Sequence, residues 1–298
     1  MTSKEYLGCF IGPRTVDLLL TGECQMGCVC FRPSVSASRE SLSLNEWKGI
    51  ITRCHSVGTR QVVFSGGEPL LFEGLSQLLE YTKSLGLRTT LSTNAILFEE
   101  LHQEIMPFVD EIGIPLDGPT PEINGLMRPP VELDQFQEAI KAIKTTQGLY
   151  PHVELTVRTV VSAANWKVME SIPDLLEREG VLKGSYRWKL YQFNPAVPGA
   201  LMNRAKNLLL STEDFLSVWS NLQAKYTGLP HWFLFFPVAA TVENNFLVYP
   251  NGEALILGQP AQTQGENNLL PSLQYVRLGN LATGFDEAMA AWHQRAKT

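Results

Sequence analysis

The sequence predicts an α/β protein built on a parallel sheet, and two observations carry that prediction. Strand-like runs alternate with helix-like segments over the first two-thirds of the 298 residues, which requires parallel strands joined by right-handed crossovers. With 44% apolar and 18% charged residues, the chain has ample material for a large buried core.

The strand-like runs are Val16–Leu20, Gln61–Ser65, Leu87–Ser92, Glu111–Leu116, Val153–Val161 and Tyr186–Phe193. Each is rich in β-branched, leucine or aromatic residues and bounded by Gly, Pro, Asn or Asp. Between them lie helix-like segments at Leu44–Ser56, Leu71–Leu85, Leu97–Phe108, Leu133–Thr146 and Trp166–Glu179. In the second, Leu71, Leu75, Leu78, Leu79 and Thr82 recur at the three-to-four spacing of one helical face. Asn165 suits an N-cap, and Gly86 and Gly180 suit C-caps. Further on, Ser211–Ala224 reads as a helix capped by Ser211, and Trp232–Ala240 as a buried strand broken by Pro237. Asn244–Gly258 reads as a hairpin turning at Asn251-Gly252, Val276–Leu281 as a short strand and Gly284–Gln294 as a closing helix. The expected organisation is an N-terminal segment (1–14), a core (15–195) and a C-terminal extension (196–298) packing on that core.

Charge and cysteine usage exclude several functions. The net charge is −6 without a dense Lys/Arg run, so no nucleic-acid polymer is expected as a partner. There is no signal-peptide pattern and no apolar stretch long enough to span a bilayer, so a soluble cytoplasmic protein with no membrane contact is expected. Five cysteines, an odd number, do not make a disulfide framework. Cys9, Cys24, Cys28, Cys30 and Cys54 all lie early, and none follows.

The segment TGECQMGCVCFRP places Cys24, Cys28 and Cys30 just beyond the first strand. Three thiols in seven residues at the carboxyl end of a parallel strand can converge on one soft metal centre. Buried small hydrophobes and a zinc site are the competing readings; zinc commonly takes ligands from two separated pairs, and no second pair exists. Strand parity points to a polar lumen: Thr90, Ser92 and Asn94 share one face, as do Glu154, Thr156 and Arg158, and Arg187, Lys189 and Tyr191. With helices covering the outer face, these sets point inward, where a charged cofactor and substrate could satisfy them. Cys9 and Cys54 read as packing residues. The five histidines lack ligand spacing, and neither a nucleophile elbow nor a P-loop occurs.

In these motifs the chain resembles the radical S-adenosylmethionine (SAM) superfamily. Cys24 and Cys28 keep its Cys-x3-Cys spacing, and Cys30-Phe31 is similar to its third cysteine and following aromatic, although Cys28-Val29-Cys30 is one residue shorter than the usual Cys-x2-Cys. Gly66-Gly67-Glu68-Pro69 matches the family's GGEP, Ser92-Thr93-Asn94 its Ser-Thr-Asn-Gly with Ala95 for glycine, and Pro115-Leu116-Asp117-Gly118-Pro119 its Ser-Leu-Asp-Gly-Pro. Arg187-Trp188-Lys189-Leu190-Tyr191-Gln192 and Cys30-Phe31 are closest to the viperin-like branch.

The resemblance implies a partial (β/α)6 TIM-like barrel with a C-terminal extension containing a β-hairpin and helices. It implies a [4Fe–4S] cluster on Cys24, Cys28 and Cys30, with SAM held by Gly66, Gly67, Glu68, Pro69, Ser92, Asn94, Asp117, Arg158 and Thr159. Lys189 becomes the candidate anion-binding residue and Tyr191 a candidate hydrogen donor facing substrate. The implied activity is reductive cleavage of SAM to a 5′-deoxyadenosyl radical that abstracts hydrogen from a small substrate, with a nucleotide among the candidates. Its electron donor would be a flavodoxin or ferredoxin. The absence of later cysteines predicts no auxiliary cluster. The alternative is a non-catalytic barrel with a degenerate cluster site, acting as a binding module.

Overall fold

Strand and helix alternate in chain order as β1 (Thr15–Leu19), α1 (Leu44–Ser56), β2 (Gln61–Ser65), α2 (Leu75–Ser84), β3 (Arg88–Ser92), α3 (Phe98–Ile105), β4 (Glu111–Pro115), α4 (Pro121–Met127), α5 (Gln135–Leu149), β5 (Glu154–Val161), α6 (Ser171–Arg178) and β6 (Arg187–Gln192). Then follow α7 (Thr212–Lys225), β7 (Phe233–Phe236), β8 (Phe246–Val248), β9 (Glu253–Gly258), β10 (Gln274–Asn280) and α8 (Phe285–Arg295). The structure, a computed structural model, describes residues 12–28, 41–129, 133–193, 207–226, 232–237, 246–258 and 274–295.

The ten strands form one sheet in the order β10-β9-β8-β1-β2-β3-β4-β5-β6-β7. Strands β1 to β7 are parallel throughout, and β8 adds parallel to β1 before β9 and β10 return antiparallel. The described parts of the C-terminal extension thus lengthen both edges of the same sheet. The sheet is rolled: the positive field of Arg158 on β5 reaches Asp17 on β1, four strands away. This is the partial TIM-like barrel that the sequence predicts.

Its outer face is apolar. Leu18, Phe64, Leu91, Ile112, Val157 and Trp188 are fully buried beneath the helices. Helix α1 shows why a helix forms and which face it buries. Ser43 and Glu46 close a reciprocal capping box, and Trp47, Ile50, Ile51 and Cys54 then fall on the core side. Cys54 is thus a packing residue, its thiol pushed by burial up to about 12. Cys9 lies outside the described residues.

Three elements differ from expectation. The predicted helix 71–85 is split: a 3-10 turn at Pro69–Leu71 is capped by Glu68, whose side chain accepts from the Leu70 N–H, and α2 starts only after Gly74. Asn165 does not cap a helix; its amide donates to the carbonyls of Asp117 (2.7 Å) and Val160 (2.8 Å), and α6 begins at Ser171. Helix α4 was missed, although Thr120 as N-cap and Pro121 in the first turn are a start signal. Among the described residues, no helix is long and apolar enough to cross a membrane.

Candidate active site

The loop after β1 carries Cys24 and Cys28 at the carboxyl ends of the strands, and two glycines after β2 let a second loop lie directly on it. A Cβ at Gly66 would come within 2.7 Å of the Thr21 carbonyl oxygen, and one at Gly67 within 2.0 Å of the Glu23 carbonyl oxygen. Gly66 also takes a φ of +142°. The N–H groups of Gly67 and Glu68 donate to the Thr21 and Glu23 carbonyls at 2.7 and 2.8 Å. These glycines therefore seat the cysteine loop. Pro69 begins the turn that follows and is buried.

Both thiols are partly exposed and receive N–H donors. The Met26 backbone N–H (3.4 Å) and the Asn94 side-chain amide (3.7 Å) donate to Cys24 Sγ, and Arg128 Nη1 donates to Cys28 Sγ at 3.7 Å. Cys30 lies outside the described residues. Among the described residues there is no group of three Cys, His, Asp or Glu able to hold a metal. Soft sulfur ligands, donors that compensate thiolate charge and an exposed mouth suit an iron–sulfur centre at Cys24 and Cys28.

Glu68 is 1% exposed, and its carboxylate is spent within the protein. Thr93 Oγ1 (2.6 Å), the Asn94 N–H (2.6 Å) and the Leu70 N–H (3.1 Å) all donate to it. Burial nevertheless pushes its pKa up to about 7. Glu68 thus ties the glycine loop to the end of β3. Ala95, fully buried with a φ of +73°, completes that turn and aims the Asn94 amide at the cysteine loop. Asp117 is fully buried beyond β4, accepts the Val160 N–H at 2.7 Å and pairs with Arg128 Nε at 2.8 Å. Burial raises its pKa despite that partner.

Deeper in the lumen, Arg158 extends across Gly113. A Cβ at that position would meet the guanidinium at 2.1 Å, so the glycine makes the space. Arg158 donates to Ser92 Oγ at 2.8 Å and lies 3.6 Å from Glu111. Lys189 reaches Glu111 at 2.6 Å, and Arg88 approaches the same carboxylate at 3.5 Å. Burial alone would raise the Glu111 pKa; the Lys189 ammonium outweighs it and holds the carboxyl below its ordinary value. Burial likewise pulls Lys189 below the usual amine range. Tyr191 faces the same space and stacks on Phe236, ring centroids 4.9 Å apart.

Thr159 requires a correction. It has the opposite parity to Arg158 and is fully buried on the helix side, where it donates to the Leu116 carbonyl (2.5 Å) and accepts from the Trp188 indole (2.8 Å). It does not face the lumen. Sequence reasoning also missed Asp17, Gly113, Glu111, Asn124, Arg128 and Gln135. Asp17 and Glu111 were legible from strand parity, since β1 and β4 share the register of the polar strands. The others act through partners distant in sequence, which no local pattern reports.

Comparisons with known proteins agree with this site. A family model described as the Radical SAM superfamily matches residues 18–149. A probable GTP 3′,8-cyclase of Methanopyrus kandleri is 28% identical over 62% of this chain and 59% of its own length. An AdoMet-dependent heme synthase of Oleidesulfovibrio alaskensis is 25% identical over 85% of this chain and 64% of its own. The chain therefore spans about six-tenths of these curated relatives. Streptococcus suis SuiB bound to S-adenosylmethionine superposes with a TM-score of 0.66 at 14% identity, covering 97% of this chain and 65% of that one. The enzyme anSMEcpe with bound AdoMet superposes at 0.66 with 17% identity, covering 94% and 82%. At these identities the two structures establish the fold.

Proposed function

Because residues 18–149 carry a radical SAM domain, of a family characterised by a [4Fe–4S] cluster and SAM, we propose that this chain is a radical SAM enzyme acting on a small substrate in the barrel lumen. The observation that carries the reading is the convergence of three loops on one mouth: the cysteine loop, the Gly66–Pro69 loop seated on it, and the Ser92–Asn94 turn. The bound group would supply one electron to cleave SAM into methionine and a 5′-deoxyadenosyl radical.

The residues of the chain divide the remaining work. Cys24, Cys28 and Cys30 hold the metal centre. The Gly66–Pro69 loop fixes the cysteine loop, and the edges of that loop, Ser92, Asn94 and the Asp117–Arg128 pair border the space for SAM. Arg158 and Lys189 give the lumen cationic groups, and an anionic group on the substrate would replace Glu111 at Lys189. Tyr191 sits beside them as a hydrogen-donor candidate. The nucleotide named for the Methanopyrus relative supports a phosphate-bearing substrate. An electron donor of the flavodoxin or ferredoxin type completes the cycle.

Anaerobic reconstitution with iron and sulfide, followed by reduction with SAM present, tests this reading. About four irons per chain and release of 5′-deoxyadenosine are expected. A colourless protein that takes up zinc, or no metal, would refute it and favour the non-catalytic alternative.

A further inference from the structure

Between the two thiols runs an uninterrupted series of buried polar contacts. From Cys24, the first partner is Asn94. The Asn94 backbone carbonyl accepts from Gln135 Nε2 at 3.2 Å, and the same nitrogen donates to the Pro115 carbonyl at 3.1 Å. Gln135 Oε1 in turn accepts from Asn124 Nδ2 at 2.9 Å, and Asn124 Oδ1 accepts the Asp117 N–H at 2.8 Å. Asp117 pairs with Arg128, and Arg128 donates to Cys28.

Gln135 is 1% exposed, Asn124 2% and Asp117 fully buried. Gly118 makes the close passage possible, since a Cβ there would lie 2.5 Å from the Asn124 nitrogen. Gln135 is the junction, holding the ends of β3 and β4 at once through one amide group. A buried amide has two donors and two acceptor lone pairs, and here three of those four are used between groups that cannot reach water.

The geometry points to Gln135 and Asn124 as positioning residues that lock the two cysteines at a fixed separation, using the α4–α5 hairpin as a brace on the far side of the site. The brace makes no contact with a reacting atom. It acts through Asn94 at one thiol and Arg128 at the other. This inference rests on the proposed function only for its purpose; the mechanical coupling exists in the metal-free chain.

Amide hydrogen exchange on the metal-free protein tests the coupling, comparing wild type with Gln135→Met, Asn124→Asp and Ile143→Ala. Ile143 is fully buried on the same helix but takes no part in the series, so its variant loosens α5 generically. Loss of one buried hydrogen-bonded group predicts about tenfold faster exchange in segment 21–28 for Gln135→Met and Asn124→Asp. Ile143→Ala should leave that segment unchanged. Unchanged exchange at 21–28 in both brace variants, an equal rise in Ile143→Ala, or failure of both brace variants to fold would each overturn the inference.

A second readout uses the reconstituted protein. Iron release to a chelator should be at least about tenfold faster in Gln135→Met than in Ile143→Ala, the size expected when partners of metal ligands are removed. If wild type takes up no iron, the proposed function fails, while the exchange result still decides the brace.

Discussion

At the mouth, Cys24 is approached by a neutral amide and Cys28 by a guanidinium already paired with Asp117, whereas in the lumen below, Glu111 sits among Lys189 at 2.6 Å, Arg88 at 3.5 Å and Arg158 at 3.6 Å. The mouth is held by directional hydrogen bonds between groups of low net charge, which fix distance and angle. The lumen is held by ion pairs, whose strength depends on dielectric and whose partners can be exchanged. A site that must present thiols in one geometry is served by the first arrangement, and a cavity that must admit a charged molecule by the second.

The largest effect should come from breaking the mouth. Gly67→Ala drives a Cβ into the Glu23 carbonyl, backbone against backbone, so the cysteine loop must move. Iron uptake should fall at least about tenfold, the scale seen when groups supporting metal ligands are lost, while circular dichroism keeps the α/β signature.

Next comes the lumen pair. Lys189→Met leaves Glu111, whose side chain is 7% exposed, with only its two more distant cations, and should cost about 2 kcal/mol in denaturant unfolding. Combining it with Glu111→Gln should recover most of that loss, and a purely additive double variant would show that the two are not coupled.

The contrast between the regions was unequally legible in the sequence. Parity along β3, β5 and β6 announces the polar lumen, because alternation is a local property of a strand. The brace does not announce itself, since Asn124 and Gln135 are ordinary residues at the start of two helices until the fold places Asn94 and Asp117 beside them. Thr159 shows the reverse error. Its motif position suggested the cofactor side, yet strand parity alone sends it to the Trp188 indole. The glycine pair was legible as a motif, but the reason for it, contact with the carbonyls of the cysteine loop, required the tertiary structure.

A smaller effect sharpens how the lumen is filled. Gly113→Ala would push the Arg158 guanidinium from its seat and weaken its bond to Ser92. Overpacking of this kind costs about 1–3 kcal/mol, and thermal unfolding should report it without loss of iron binding.

The smallest effect is a pH slope. The folded-state pKa of Glu68, about 7 against an ordinary 4.5, means that the folded protein holds this proton more tightly than the unfolded chain. Its contribution to stability is complete below about pH 4.5 and is lost as pH rises through about 7. The melting temperature should therefore decline across that window, and Glu68→Gln should flatten the decline.

The central claim is that the mouth holds a cluster with one iron open to SAM. Electron paramagnetic resonance of the reconstituted, dithionite-reduced protein, recorded with and without SAM, tests it most directly. The account predicts a reduced-cluster signal whose shape changes when SAM is added. A signal indifferent to SAM, or no signal from a protein that has taken up no iron, would contradict it.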